Sequence, residues 1–212
     1  MKLKVCGMKY VDNLMMIAQL QPDYLGFIFY DKSKRNFEGV IPKLPNGIKK
    51  TGVFVNEYLE IVVSLVEEYQ LEAIQLHGEE SPEYIQALKG HLPTVEIIKV
   101  FGIKDTFDFS VLESYLNNVD YFLFDTKGKE RGGNGVKFDW TVLKSYPFDK
   151  PFFLSGGIGL EDIDEVKKIK NSGLPVYAVD INSRFEIEPG LKNIKEVKKF
   201  QKNLKGFKTF EA

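Results

Sequence analysis

Residues 121–135 read YFLFDTKGKERGGNG, and their pattern recurs throughout the chain. The stretch opens with the apolar run Tyr121–Phe124, which is short and rich in aromatic side chains, as buried strands are. The run ends at the carboxylate of Asp125, and a polar, glycine-rich segment follows. In parallel α/β proteins, an acid at the carboxyl end of a strand beside a loop that can close over a ligand indicates an active site. The alternative is that Asp125 caps a turn and the loop is a surface connection.

Short apolar runs of this kind recur at spacings of roughly 20 to 30 residues, with helical patterns between most of them. Alternating strands and helices predict βαβ units and a parallel sheet. A count of eight strands favours a closed (β/α)8 TIM barrel over an open doubly wound sheet. The eight predicted strands are Lys2–Cys6, Tyr24–Phe29, Thr51–Val55, Ala73–Leu76, Val95–Phe101, Tyr121–Phe124, Phe152–Leu154 and Val176–Val179.

Capping residues mark where several helices begin. Asn56 is predicted to be the N-cap of a helix that ends near residue 69. Ser81 is a cap followed by Pro82 at the first helical position, where the missing N–H of proline costs nothing. Asp139 predicts a cap for a short helix. Further helices are expected at about residues 11–20, 107–117, 160–171 and 194–204.

The connection over residues 36–47 differs from the others because it contains Gly39, Pro42, Pro45 and Gly47. Proline has no N–H to donate and disfavours helical backbone in the residue before it, so at most one short turn is expected here. The predicted fold is therefore a single (β/α)8 barrel domain over residues 1–212, with a shortened second helix.

Composition excludes several classes of protein. The chain has 212 residues, 43% hydrophobic and 28% charged, which is ordinary for a globular domain with a sizeable core. A formal net charge of -1 without a basic block gives no electrostatic footprint for nucleic acid. No apolar run is long enough to span a bilayer, and no signal peptide opens the chain. One cysteine and two histidines argue against a zinc site, and the lone cysteine is typical of a cytoplasmic protein.

A phosphate site is predicted where Gly156, Gly157 and Gly159 lie between a strand and a helix. Backbone N–H groups of glycine can approach a phosphate closely, and the helix dipole favours an anion. Barrels commonly build this site from the loops after strands seven and eight, so the segment Asn182-Ser183-Arg184 would complete it. The alternative is a tight turn that needs glycine for its φ angles.

Cys6 is the single cysteine and lies at the end of the first predicted strand. It can be a thiolate that acts as a base or nucleophile, with Gly7 leaving room beside the sulfur. Because a free thiol has a pKa of about 8.5, the site would have to lower that value or use a minority thiolate population. The alternative is a small buried hydrophobic residue.

Three further side chains follow predicted strands. Arg35 can hold a substrate carboxylate in a bidentate fork, or it can be a solvated arginine. His77 can donate a proton or be a hydrogen-bonded residue at a strand end. Asp180 can bind a sugar hydroxyl or cap the next turn. Lys4 and Lys99, in or near strands, leave open a lysine-driven reaction on another sugar phosphate.

Taken together, these motifs resemble phosphoribosylanthranilate isomerase, a (β/α)8 barrel of tryptophan biosynthesis. No single motif is specific, but the ordered set is, and it covers nearly the whole chain. The motifs are KVCGM at 4–8, DYLGFIF at 23–29, SKR at 33–35, GVFVN at 52–56, QLHG at 75–78, FD at 124–125, GGNG at 132–135, LSGG at 154–157 and VD at 179–180.

The resemblance implies the Amadori rearrangement of N-(5'-phosphoribosyl)anthranilate, with Cys6 as general base and Asp125 as general acid. Arg35, His77 and Asp180 would contact the small phosphosugar substrate. Gly156, Gly157, Asn182 and Ser183 would bind its phosphate. Neither metal nor cofactor is implied, since the chemistry needs only proton transfer and positioning. A cytoplasmic monomer or homodimer is expected, without nucleic-acid or membrane partners.

Three features depart from the family pattern. Pro42 and Pro45 shorten the second helix, and Asn134 replaces a usual threonine. Arg184 stands where a glycine is common, so it is expected to carry backbone strain if that position has a positive φ, and it would add a cation near the phosphate. A catalytically silent barrel that binds a phosphorylated metabolite or a protein remains a further alternative, because a barrel fold alone does not fix function.

Overall fold

The structure, a computed structural model, describes residues 1–126 and 137–206 and contains a closed barrel of eight parallel strands. Each strand pairs with the next in chain order, and the last pairs with the first. The predicted (β/α)8 barrel is therefore confirmed. The strands are β1 Lys2–Val5, β2 Tyr24–Ile28, β3 Lys49–Phe54, β4 Ala73–Leu76, β5 Glu96–Ile103, β6 Tyr121–Thr126, β7 Phe152–Leu154 and β8 Val176–Ile181.

Helices connect most of the strands, although several are shorter or tighter than the sequence predicts. The segments expected at 107–117 and after Asp139 are 3-10 helices, Phe109–Tyr115 and Trp140–Ser145. A 3-10 turn, Leu160–Asp162, precedes the helix after β7. The α-helices are α1 Val11–Ala18, α2 Leu59–Tyr69, α3 Pro82–His91, α4 Ile163–Lys170 and α5 Ile194–Lys205. A short antiparallel hairpin, β9 Glu186–Glu188 and β10 Leu191–Lys192, precedes α5 and was not predicted.

Two of the three predicted caps are confirmed. The Ser81 hydroxyl accepts a hydrogen bond from the N–H of Tyr84 at 3.2 Å, and the Asp139 carboxylate accepts one from Thr141 at 2.9 Å. The prediction for Asn56 is wrong, since α2 begins only at Leu59. Asn56 has a φ of 51°, and its side-chain oxygen accepts a hydrogen bond from the N–H of Glu79 instead. It therefore ties the loop after β3 to the loop after β4.

The connection between β2 and β3 contains no helix at all, so the expected shortened helix is replaced by an extended segment with turns. Aromatic side chains cover this side of the barrel instead. The ring of Phe37, 3% exposed, lies 6.2 Å from Phe29 and 6.0 Å from Tyr69. Phe29 stacks on Phe54 of β3 at 5.4 Å. Aromatic burial can stabilise this wall without a helix because each ring removes a large apolar area from water.

Alternation along the strands separates an outer core from the barrel interior. Leu3 and Val5 of β1 pack in the outer core, so Lys4 between them faces inward. Asp180 faces inward for the same reason, since it lies between Val179 and Ile181 on β8. The interior apolar cluster consists of Tyr24, Ala73, Ile98, Val100, Leu123, Phe153 and Ala178. Charged side chains thus lie inside the barrel beside an apolar layer.

Lys99 faces the other way, because its neighbours Ile98 and Val100 belong to the interior cluster. Its ammonium lies 3.0 Å from the Glu80 carboxylate and 2.7 Å from the carbonyl oxygen of Gly78. Lys99 is 3% exposed and Glu80 5% exposed. Glu80 also accepts hydrogen bonds from the backbone N–H groups of Asn56 and Gly78. This buried pair fastens the loops after β3 and β4 to β5.

Replacement of Lys99 by methionine is expected to lower the free energy of unfolding by about 3–5 kcal/mol, because it leaves a buried carboxylate without its cation. Lys89→Met is the matched control, since Lys89 pairs with Asp120 at 3.6 Å on the surface and such pairs contribute only about 0–1 kcal/mol. Urea unfolding of both variants measures the difference. Equal losses would contradict a structural role for the Lys99–Glu80 pair.

Candidate active site

A cavity of about 420 Å³ opens at the end of the barrel where the strands have their carboxyl termini. All nine residues predicted to act on or bind the substrate line this cavity, although they come from six different segments of the chain. They are Cys6, Arg35, His77, Asp125, Gly156, Gly157, Asp180, Asn182 and Ser183. These residues meet because the strands of the barrel are parallel, so the carboxyl end of every strand lies at the same mouth.

Cys6 directly follows β1, and its N–H donates to the carbonyl oxygen of Ile181 at 2.9 Å. Room for its sulfur comes from Gly26 on β2, where a Cβ atom would lie 2.8 Å from Sγ. The expectation that Gly7 leaves this room is wrong. Gly7 has a φ of 74°, and a Cβ atom there would lie 2.8 Å from Arg35 Cδ and from Asn182 Oδ1.

The electrostatic surroundings of Cys6 keep its sulfur protonated at neutral pH. Burial raises the pKa of the thiol, and the carboxylate of Asp180 raises it further. The ammonium groups of Lys4 and Lys192 oppose this rise but do not cancel it. A raised pKa excludes a thiol with a lowered pKa, so any base at Cys6 would be a minority thiolate.

Beneath Cys6, Lys4 and Asp180 form an ion pair inside the barrel. The Lys4 ammonium lies 3.0 Å from Asp180 Oδ2, and Lys4 is fully buried. Burial raises the pKa of Asp180, with Lys4 acting against it. Asp180 Oδ1 has no hydrogen-bond partner among the described residues. Asp180 lies within β8 and does not cap a turn, so that oxygen is available to a donor such as a hydroxyl group.

Asp125 lies near the end of β6, where its Oδ1 accepts a hydrogen bond from the N–H of Thr126 at 2.9 Å. His77 Nε2 lies 3.5 Å from Asp125 Oδ2. On the other side of the imidazole, Gln75 Nε2 lies 3.3 Å from His77 Nδ1. An amide N–H donating to Nδ1 favours the tautomer whose proton is on Nε2, facing the carboxylate. The histidine is thus part of a row that orients Asp125.

The two loops predicted to bind phosphate meet at one side of the cavity. Gly156 and Gly157 have φ angles of 91° and 63°, so this turn requires glycine. A Cβ atom at Gly156 would lie 2.7 Å from the backbone nitrogen of Thr126, which shows how closely the loop approaches β6. Across from it, Asn182 precedes the 3-10 helix Ser183–Phe185.

Arg184 does not carry the backbone strain expected from its place in the chain. Among the described residues other than glycine, only Gln21, Asn56 and Gln70 have a positive φ. The guanidinium of Arg184 forms an ion pair with Glu161, which follows the glycine turn. Arg184 also lines the cavity, although the charge of its guanidinium is shared with Glu161.

The Arg35 side chain is largely buried, and part of its guanidinium is already hydrogen-bonded to a carboxylate. Its Nε donates to Glu186 Oε1 at 2.9 Å, and its Nη2 donates to Oε2 at 2.6 Å. Glu186 also accepts hydrogen bonds from the Lys192 ammonium at 2.6 Å and the N–H of Gly190 at 3.0 Å. Glu186 and Lys192 were missed in the sequence because they lie in a polar stretch around Pro189-Gly190 that resembles a solvated loop.

Two other expectations concern residues at the mouth. The segment 132–135 with Asn134 lies outside the described residues. Neither Lys4 nor Lys99 lines the cavity, which disfavours a reaction driven by either lysine. Within residues 1–126 and 137–206, no cluster of three or more His, Cys, Asp or Glu is arranged to hold a metal ion. None of the described helices is both long and apolar enough to cross a membrane.

These features define a class: a (β/α)8 barrel with a glycine turn and titratable side chains around a cavity at its mouth. Comparison with known proteins identifies the family within that class. The family model for N-(5'-phosphoribosyl)anthranilate (PRA) isomerase matches residues 3–203. A protein named N-(5'-phosphoribosyl)anthranilate isomerase from Parabacteroides distasonis is 41% identical over 207 residues, covering 94% of this chain and 91% of its own length. The chain belongs to the phosphoribosylanthranilate isomerase family.

Solved structures of this family have the same architecture. A phosphoribosylanthranilate isomerase in complex with reduced 1-(o-carboxyphenylamino)-1-deoxyribulose 5-phosphate is 29% identical, with a TM-score of 0.79 over 97% of this chain and 99% of that one. The structure of monomers generated from the dimeric enzyme of Thermotoga maritima is 28% identical, with a TM-score of 0.77 over 97% and 99% of the two chains. The fold is therefore shared along almost the full length of both chains.

The thiol of Cys6 is expected to titrate at a higher pH in the native protein than in the unfolded chain, because burial raises its pKa. Ultraviolet thiolate absorbance during a pH titration measures this, with the urea-unfolded protein as the reference. Cys6→Ser supplies the correction for tyrosine ionisation, since Cys6 is the single cysteine of the chain. A native midpoint at or below that of the unfolded chain would contradict the electrostatic account of this site.

Proposed function

We propose that this protein catalyses the Amadori rearrangement of N-(5'-phosphoribosyl)anthranilate to 1-(2-carboxyphenylamino)-1-deoxyribulose 5-phosphate, a step of tryptophan biosynthesis. The observation that carries the proposal is the convergence of Cys6, Asp125, Arg35 and the two anion-binding loops on one cavity. Family membership supports the same reaction. The arrangement suits a substrate with a carboxylate at one end and a phosphate at the other.

In the first chemical step, Asp125 acts as the general acid. It donates its proton to the furanose ring oxygen, the bond from that oxygen to C1' breaks, and the anilino nitrogen supplies the electron pair of the resulting iminium ion. The contact with His77 Nε2 holds the carboxyl group of Asp125 in a fixed orientation. Such positioning lowers the barrier because the acid needs no reorganisation when the ring opens.

In the second step, the Cys6 thiolate removes the proton from C2' of the iminium. The electron pair of the C–H bond forms the C1'–C2' double bond, and the iminium π electrons return to nitrogen to give an enolamine. Tautomerisation of the enolamine gives the keto product. Although the raised pKa of Cys6 makes its thiolate scarce, that thiolate is a stronger base once formed. Room for the sulfur at Gly26 keeps it close to the cavity.

The remaining residues bind the two ends and the sugar. The phosphate is bound by Gly156, Gly157, Asn182 and Ser183, largely through backbone N–H groups at a turn that only glycine can form. Asp180 Oδ1, which lacks a partner among the described residues, accepts a hydrogen bond from a ribose hydroxyl.

Arg35 binds the anthranilate carboxylate with the part of its guanidinium that Glu186 leaves open. Glu186 occupies Nε and one side of Nη2, so the N–H groups of Nη1 remain for the substrate.

The reaction is an internal redistribution of protons and electrons, so it needs neither a metal ion nor a redox cofactor. The proposed partner is the small phosphosugar alone, without nucleic acid or membrane. A monomer or a homodimer in the cytoplasm is the proposed working form, and relatives include a dimeric enzyme and monomers generated from it.

Cys6→Ser and Asp125→Asn are each expected to lower kcat by about 10²–10⁴-fold while the protein stays folded, because each removes one proton-transfer group. Loss of the fluorescence of phosphoribosylanthranilate, generated from anthranilate and phosphoribosyl pyrophosphate, measures turnover. Lys199→Met, an exposed substitution on α5, is the control for handling and purity. Near-normal kcat in either variant would remove that residue from its role, and an inactive folded wild type would refute the proposed function.

A further inference from the structure

Three charged side chains form a row that starts at the cavity wall and runs behind it: Arg35, Glu186 and Lys192. Glu186 lies between the two cations and accepts hydrogen bonds from both, at 2.6 Å from Arg35 Nη2 and 2.6 Å from Lys192 Nζ. Of the three, Arg35 alone lines the cavity. The Lys192 side chain is fully buried, and that of Glu186 is 4% exposed. The row therefore connects Arg35, which faces the cavity, to the ammonium group of Lys192, which is buried away from it.

The charges of this row determine what Arg35 offers to a ligand. The Arg35 guanidinium and the Glu186 carboxylate alone would sum to zero, and a neutralised arginine attracts a carboxylate only weakly. The Lys192 ammonium brings the row to one net positive charge. Because all three groups are largely withdrawn from water, solvent screens these charges poorly.

The position of Lys192 is set by α1 rather than by any ligand. The side chain of Asn13 accepts from the backbone N–H of Lys192 at 2.8 Å and donates to its carbonyl oxygen at 2.9 Å. The Lys192 ammonium also donates to Asn182 Oδ1 at 2.6 Å. This bond leaves the N–H groups of the Asn182 amide available at the phosphate side of the cavity. Lys192 thus contacts Asn182, which lines the cavity, and Glu186, which holds Arg35.

We propose that Lys192 is a positioning residue whose charge neutralises Glu186, so that the positive charge of Arg35 remains available to the substrate carboxylate. The inference rests on the proposed function, because it assigns Arg35 to a carboxylate. It also explains why a carboxylate is tolerated next to an anion-binding arginine: Glu186 fixes the guanidinium plane, and Lys192 removes the electrostatic penalty that Glu186 would otherwise impose on the incoming anion.

The ionisation of the row agrees with this role. Burial lowers the pKa of Lys192 to about 8, against the opposing influence of Glu186 and Cys6, so the ammonium form prevails at neutral pH. Burial raises the pKa of Glu186, but Arg35 and Lys192 outweigh it and the pKa lies below its ordinary value. The other titratable groups that interact with Lys192 are the Cys6 thiol after β1 and the Asp180 carboxyl on β8.

The test compares four proteins in the phosphoribosylanthranilate fluorescence assay: wild type, Lys192→Met, the double variant Glu186→Gln/Lys192→Met, and Lys199→Met as an exposed-lysine control. In Lys192→Met, Glu186 neutralises Arg35, and KM is expected to rise about ten- to hundredfold, the size of a charge-assisted hydrogen bond, with a smaller change in kcat. The double variant restores one net positive charge at Arg35, so it should recover most of the lost KM. Lys199→Met should match the wild type.

Each outcome decides the question. An unchanged KM in a folded Lys192→Met would overturn the inference while wild-type turnover upheld the proposed function. A raised KM that the double variant fails to improve would assign Lys192 a packing role instead, as would a double variant that cannot fold. If Lys192→Met alone fails to fold, the double variant decides: a KM near that of the wild type supports charge compensation. A folded wild type without turnover refutes the proposed function and this inference together.

Discussion

The pairing of β1 with β8 closes the barrel, and the geometry of the site depends on it. This pairing sets Lys4 directly beside Asp180 in the strand register, and these two residues form the ion pair under the cavity. It also fixes Cys6, whose N–H donates to Ile181 at the end of β8. Without closure, β1 and β8 would be opposite edges of an open sheet, and the thiol would be far from the loop that holds Asn182.

Closure also brings five charged side chains together in largely buried positions, and each of them has a partner of opposite charge. Lys4 pairs with Asp180 inside the barrel, whereas Arg35 and Lys192 share Glu186 behind the mouth. Cations outnumber anions in these two groups. The single net positive charge of the Arg35–Glu186–Lys192 row suits an anionic ligand, because fixed charges that are already oriented need no rearrangement when the ligand binds.

The barrel and the residues at the strand ends could be predicted from the sequence, for a definite physical reason. A parallel strand is a brief apolar run, and the first polar residue after it must lie at the mouth once the barrel closes. Cys6, Asp125 and Asp180 were found in this way. Helix caps could also be predicted where the capping hydrogen bond joins residues close in sequence, as at Ser81, whose hydroxyl caps the helix that starts one residue later.

The same reasoning failed where a side chain has its partner in another loop. Asn56 has the residue type of a cap, yet its partner is Glu79 on the following loop. Gly26 makes room for Cys6 on the neighbouring strand, which no local pattern in β2 reveals. Glu186 and Lys192 resemble surface residues in the sequence, because charged side chains in a polar stretch are usually exposed to solvent. Gln75 was the one recoverable omission, since residues two apart on a strand share a face and Gln75 lies two before His77.

The most direct test of the account is a crystal structure of this protein with reduced 1-(o-carboxyphenylamino)-1-deoxyribulose 5-phosphate, the compound bound in a related enzyme. The phosphate is expected at Gly156, Gly157 and Ser183, and the carboxylate within hydrogen-bonding distance of Arg35 while Arg35 still holds Glu186. A ligand bound in the reverse orientation, or a carboxylate that displaces Glu186 from Arg35, would contradict it.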